Sequence, residues 1–184
     1  HISTMINKVK ALPFTEPVTK NFTYVTSFAD CVEIGRKPVV IGERINPTGK
    51  KKLQQALRDN NIDYLLTEAL NQEAAGADIL DVNVGLPEID EPVMMESVVL
   101  KIQSITNLPL QLDTTDIEAL EKGLRIYNGK PMVNSVNGKV ENIEAVMPLV
   151  AKYGGVLVGL PLDEEGIPAT SEGRLAVAKR IYEA

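Results

Sequence analysis

From Pro38 onward the chain repeats one unit: a short apolar run, a polar loop, an amphipathic stretch, then the next apolar run. The runs occupy residues 39–41, 79–82, 110–112, 132–133 and 156–160, with starts separated by 40, 31, 22 and 24 residues. Their short length, β-branched content and Gly or Pro flanks predict buried strands rather than helices. The stretches between them carry helical spacing. Residues 62–75 place Ile62, Leu65, Leu66, Ala69, Leu70 and Ala74 on one face, three and four apart. Residues 92–105 do the same with Val93, Val98, Val99 and Ile102, and residues 117–127 with Ala119, Leu120, Leu124 and Tyr127. Residues 143–153 and 173–182 complete the set. Gly76, Gly129 and Gly154 stand where these helices end, positions that favour a residue able to adopt positive φ.

Strand–helix alternation with buried strands predicts an α/β fold with a parallel sheet. No Gly-x-Gly-x-x-Gly follows the first strand, so a dinucleotide-binding fold has no support. The pattern fits a (β/α)8 TIM barrel, because polar residues gather after successive strands, on the face where such barrels keep their sites. Only about five β/α units are present. A whole barrel takes roughly 250 residues, and the chain has 184, so it reads as a barrel truncated after its fifth strand. Residues 1–37 contain Pro13 and Pro17 and no sustained period; they are expected to be an extended lead-in or inter-domain linker with one short helix near residues 27–34, and residues 38–184 the N-terminal part of the barrel.

Composition narrows the function. A net charge of −6 argues against general binding to a phosphate backbone. With no Trp, five Tyr and three Phe, stacking platforms for single-stranded nucleic acid are poorly supplied. No apolar run approaches the roughly 20 residues that span a bilayer, and the start lacks a signal-peptide pattern. One cysteine, Cys31, leaves no internal disulfide or Cys-based zinc site, which suggests a reducing, cytoplasmic setting.

The candidate chemistry lies at the strand ends. The first is followed by Gly42-Glu43-Arg44-Ile45-Asn46-Pro47-Thr48-Gly49 and Lys50-Lys51-Lys52. The second ends in Asp81-Val82-Asn83-Val84-Gly85, the third in Asp113-Thr114-Thr115, and the fourth in Asn134-Ser135-Val136-Asn137-Gly138. A lone Asp at a strand end can simply cap the next helix. Four consecutive ends bringing carboxylates or carboxamides to one rim favour a site. Such a set can hold magnesium, although no His is available in it. It also matches a planar heterocycle, since a carboxylate accepts hydrogen bonds and an Asn both donates and accepts. A pterin presents an edge of that kind. Other features have plainer readings. Glu43 and Arg44 can form an ion pair closing the barrel end, the three lysines can be a solvated helix start, Met94 and Met95 suit helix packing, and Asp163 and Glu164 suit a turn before Gly166.

The stretches at residues 41–52, 78–90, 111–115 and 133–138 agree in order and spacing with one family. Over residues 26–184 the chain resembles the pterin-binding domain of cobalamin-dependent methionine synthase and related corrinoid methyltransferases. That resemblance implies a TIM barrel holding 5-methyltetrahydrofolate in its mouth, with the methyl group passing to cobalamin on a separate module. It implies that Asp113 and Asn134 hydrogen-bond the pterin. Glu43 and Asn46 line the floor or rim beside Asp81 and Asn83, and Lys50, Lys51 and Lys52 are candidates for the folate tail. It assigns no catalytic residue in this chain and no metal. It implies homocysteine- and cobalamin-binding modules as partners, on the same or a separate chain. The missing strands imply that the isolated chain is inactive and that open sheet edges pair, possible homo-oligomerisation included. The alternatives are a dihydropteroate synthase-like enzyme, which carries a different loop after the first strand, and a non-catalytic pterin-binding or assembly module.

Overall fold

In the computed structural model, which describes residues 1–14, 16 and 21–184, the apolar runs become strands and the amphipathic stretches helices. The elements are α1 (Ile2–Lys10), β1 (Thr23–Thr26), β2 (Cys31–Ile34), β3 (Ile41–Ile45), α2 (Lys51–Arg58), α3 (Ile62–Ala74), β4 (Ile79–Val82), α4 (Glu91–Ile102), β5 (Leu110–Asp113), α5 (Ile117–Ile126), β6 (Met132–Asn137), α6 (Val140–Tyr153), β7 (Val156–Leu160) and α7 (Ser171–Glu183). Strands β3 to β7 form one parallel sheet in sequence order. This is the sheet order of a (β/α)8 barrel, present as an arc of five β/α units. None of the helices among the described residues is long and apolar enough to cross a membrane.

Alternation along each strand divides the sheet into two faces. Leu80, Val82, Leu110, Leu112 and Val133 point outward, almost fully buried against Met95, Val98 and Leu120 of the helical layer and continuous with Leu53 and Leu65 in the same core. The inward residues are Ile79 and Asp81 on β4, Gln111 and Asp113 on β5, and Met132 and Asn134 on β6. Their lower layer is apolar and their upper layer polar. Ile79 and Met132 pack with Val25, Val32 and Ile34 of the β1–β2 hairpin and with Val156 and Val158 of β7. The hairpin therefore plugs the N-terminal end of the arc. Thr26 and Lys130 exchange main-chain hydrogen bonds at 2.9 and 3.0 Å, and the Tyr127 hydroxyl donates to Thr26 O at 2.9 Å while accepting from Leu110 N–H at 3.0 Å. Gly129, at φ +147°, lies so close to the Thr26 carbonyl that a Cβ there would collide with it.

The lead-in departs from expectation in two places. Residues 27–34 were expected to hold a short helix, but form the turn and second strand of the β1–β2 hairpin. Ser27 nucleates that turn by accepting from Ala29 and Asp30 N–H, and β-branched Val25, Val32 and Ile34 gain burial only as strands. Residues 2–10 are helical rather than extended; Ile2, Met5, Ile6 and Val9 have the three- and four-residue spacing of a helix face. Thr15 and residues 17–20 of the expected extended stretch, Pro17 among them, lie outside the described residues. The first barrel strand begins at Ile41 rather than at Val39. Met94 and Met95 are buried helix packing, Cys31 is an exposed free thiol, and Asp163 pairs with Gly166 across a turn.

Candidate functional site

Helix capping does not account for the polar strand ends. Asn61, Asp90, Asp116 and Thr170 cap α3, α4, α5 and α7 by accepting main-chain N–H groups. The side chains of Asp81, Asn83 and Asp113 are thus not used as helix caps; Asn83 bonds Asp113 and Asp81 bonds Gln111, on the concave face of the arc.

Asp113 is the point of convergence. Its Oδ2 accepts from Asn83 Nδ2 at 3.0 Å and from Asn46 Nδ2 at a longer 3.4 Å. Each carboxamide is fixed by its own loop. Asn46 Oδ1 accepts from Thr48 N–H at 3.0 Å, and Asn83 Oδ1 accepts from Gly85 N–H at 2.9 Å. These two Asx turns settle which end of each amide faces the carboxylate. Asp113 Oδ1 accepts no hydrogen bond among the described residues. Asn134 lies beside Asp113 in register on β6, half-buried, with its main-chain carbonyl accepting from Thr114 N–H at 3.2 Å. The Asn134–Ser135 peptide is cis.

One layer deeper lies Asp81, paired in register with Gln111 and 2% exposed. Gln111 Nε2 donates to Asp81 Oδ1 at 2.5 Å; among the described residues Asp81 Oδ2 has no partner within hydrogen-bond geometry, the Asn46 carboxamide standing near it without making a bond. Burial raises the Asp81 carboxyl to about 6; the Gln111 amide opposes the shift, the charges of Asp113 and Glu43 add to it, and Asn46 opposes it. Asp113 is raised as well, chiefly by burial, with the Asn83 amide opposing and the Glu43 charge adding. Glu43 reaches this field through a bulge. Gly42 pairs with Leu80 and Ile45 with Val82, so Glu43 and Arg44 together oppose Asp81. The Arg44 main-chain N–H donates to Gln72 Oε1, and among the described residues Glu43 and Arg44 form no ion pair, contrary to the closing pair considered from sequence.

The three lysines separate. Lys50 Nζ donates to the main-chain oxygens of Glu43 and Asn46, both at 3.0 Å, and so braces the loop that carries Asn46. Lys51 and Lys52 open α2, exposed, and line a cleft of about 370 Å³ with Arg44, Gly49, Lys50, Tyr64 and Glu68. A second cleft, of about 380 Å³, flanks β3 at Val40, Gly42, Glu43 and Arg44. Among the described residues no three His, Cys, Asp or Glu side chains come together as a metal cage.

Three residues that the sequence motifs contained but gave no role matter here: Gln111 joins the cluster, and Thr114 and Asn137 fix neighbouring strand ends. Gln111 is 6% exposed and holds Asp81; it sits two residues before Asp113, and that parity alone marks it as inward-facing. Buried Thr114 donates to Glu91 at the start of α4, tying the loops after β4 and β5 together. Asn137 Oδ1 accepts from Lys139 N–H at 3.0 Å, a third Asx turn at a strand end.

Comparison with known proteins gives this geometry a family. The family model described as pterin binding enzyme matches residues 42–174, from β3 into α7. Methionine synthase of Mycobacterium leprae is 32% identical over 164 residues, covering 85% of this chain and 14% of that protein. Methionine synthase of Mycobacterium tuberculosis is 32% identical over 148 residues, covering 78% and 12%. The chain therefore spans about one seventh or less of the length of these relatives. Among solved structures, dihydropteroate synthases of Burkholderia cenocepacia and Thermus thermophilus each align with a TM-score of 0.49 at 18% identity. They cover 89% and 88% of this chain and 58% and 61% of theirs. With the family model matched over most of its length, and with methionine synthase segments among its relatives, the chain belongs to the pterin-binding enzymes.

Proposed function

We propose that the chain binds 5-methyltetrahydrofolate by its pterin at the concave rim and presents the methyl group on nitrogen 5 to cobalamin carried by a separate module, as part of methionine synthesis. The observation that carries this reading is the state of Asp113. One carboxylate oxygen is occupied by two oriented carboxamides, and the other, which accepts no hydrogen bond among the described residues, is left for a ligand donor. A pterin edge offers N–H donors next to acceptors, and Asn134, adjacent in register, can both donate and accept. In this reading Asp113 and Asn134 hold the pterin, Glu43 and Asn46 line the rim, and Asp81 and Asn83 support them from β4. Lys50, Lys51 and Lys52 serve the anionic folate tail, Lys50 through the loop it braces and the other two by long-range attraction.

A neutral amine is a poor leaving group, so methyl transfer needs a proton or a strong hydrogen bond on nitrogen 5. No residue of this chain is assigned that task. The partners are the modules that carry cobalamin and homocysteine. Residues 1–37 are proposed as the lead-in from a neighbouring module, with the β1–β2 hairpin as its docked end, and residues 38–184 as the pterin-binding unit. A single exposed thiol suits a cytoplasmic setting. Strands β3 and β7 are the ends of the described sheet, and we propose that each is covered by further strands or by a second copy. Sedimentation at micromolar concentration tests the latter: a stable monomer would exclude it.

Calorimetric titration with 5-methyltetrahydrofolate tests the binding. Saturable heat is expected, and its absence refutes the reading. Methyl transfer to free cob(I)alamin by the same chain supports the methyltransferase; binding without transfer supports a pterin-binding module; incorporation of p-aminobenzoate points instead to a synthase.

A further inference from the structure

We propose that Asp81 is a proton-carrying positioning residue, and that closing the mouth with a neutral heterocycle on Asp113 places a proton on the unpartnered Asp81 Oδ2. The inference rests on the folate-binding reading above for the ligand, and on the geometry of Asp81 for the rest. Asp81 is 2% exposed, and among the described residues one of its two carboxylate oxygens finds no donor within hydrogen-bond geometry. A buried carboxylate oxygen in that state gives up its hydration without replacement.

The groups around it make the deficit electrostatic. From β3 comes the Glu43 carboxylate, and from the loop after it the Asn46 carboxamide. From β5 come Asp113 and Gln111, and from the loop after its own strand Asn83. Beneath lie apolar Ile79 and Met132. The cations on this side are Arg44, which with Glu43 opposes Asp81 on β3, and Lys50, whose ammonium donates to the main-chain oxygens of Glu43 and Asn46; neither donates to Asp81. Burial already raises Asp81 to about 6 in the open arc. A ligand over the rim removes more water, and its N–H donors hold Asp113 ionised beside Asp81. Both effects favour the acid form of Asp81. The step is a simple protonation. An O–H bond forms at Oδ2, the proton comes from the buffer, and no other bond is made or broken. Asp81 acts through Asp113, keeping two adjacent anions from coexisting under the ligand.

The test is titration of the 184-residue chain with 5-methyltetrahydrofolate at pH 6.5 to 8, in buffers of different ionisation enthalpy. The wild-type chain should take up a fraction of a proton per ligand. Its affinity should weaken with rising pH, by at most about tenfold per pH unit. Asp81→Asn should lose both the uptake and the slope; protons belonging to the ligand are common to the two chains and cancel. Binding without uptake by the wild type, or equal uptake by both, overturns the proposal and leaves the folate reading intact. No heat from the wild type overturns both. If Asp81→Asn fails to fold, Gln111→Leu decides. Without the amide that favours the ionised form, the fall in affinity should move to higher pH, and an unmoved profile refutes the proposal.

Discussion

Asn83 holds Asp113 across two neighbouring strands, donating Nδ2 to Asp113 Oδ2 at 3.0 Å while its own Oδ1 is pinned by Gly85 N–H. The link fixes a half-buried carboxylate whose other oxygen accepts no hydrogen bond among the described residues. Asn83→Ala removes the donor that opposes the upward shift of Asp113. The Asp113 carboxyl should therefore titrate higher in that variant, which carboxyl NMR reads directly.

Asp113→Ala and Asn134→Ala should each weaken pterin binding by about 1–3 kcal/mol, because each leaves a buried ligand group unpaired. Dissociation constants from calorimetry, measured in a version of the protein that binds the ligand, check this. Unchanged affinity in both variants would remove the rim from the binding site.

Asp81 also predicts how stability follows pH. Its folded value, about 6, lies above the ordinary 3.8, so between those values the folded state binds more protons than the unfolded state. Stability contributed by this group is full below about pH 4 and is lost as pH rises through 6. Asp81→Asn should therefore stabilise the chain above pH 7 by about 1–3 kcal/mol relative to wild type, and hardly at all near pH 4. Urea denaturation at the two pH values distinguishes this from a general effect of the substitution.

The β/α alternation, the five strands and the strand-end motifs were all legible in the sequence, because period-2 and period-3.6 hydrophobicity are local signals. The helical face of α1 was also there to be found, at Ile2, Met5, Ile6 and Val9. The hairpin was not, since Val25 and Val32 show what they pack against only once Ile79 and Met132 have been brought to the same end of the arc. The same holds for Gln111. Its chemistry is ordinary until register places it opposite Asp81. Sequence likewise grouped Lys50, Lys51 and Lys52, whereas the start of α2 turns Lys50 toward the rim loop and the other two toward solvent.

Tyr127 fastens the hairpin to the sheet. Its hydroxyl donates to Thr26 O and accepts from Leu110 N–H, and burial pushes the phenol up to about 12. Tyr127→Phe keeps the ring but leaves the Leu110 N–H without an acceptor, at a cost of about 1–3 kcal/mol. Thermal or urea unfolding measures that loss. Faster amide exchange at Thr26 and Lys130, with β4 and β5 unaffected, would show that the loss falls on the docked hairpin.

The lysines should divide by mechanism. Lys51→Gln with Lys52→Gln removes two exposed charges that make no hydrogen bond to the rim, so any effect on a folate is long-range and screened. A few-fold weaker binding is expected at low ionic strength, shrinking at 0.5 M salt, with a tail-less tetrahydropterin unaffected. Lys50→Gln deletes the two hydrogen bonds that brace Glu43 and Asn46. Its effect should persist at high salt and extend to the tail-less ligand, because Asn46 then loses its fixed approach to Asp113. If all three variants respond alike to salt and to removal of the tail, Lys50 acts by charge alone and the brace does not matter for binding.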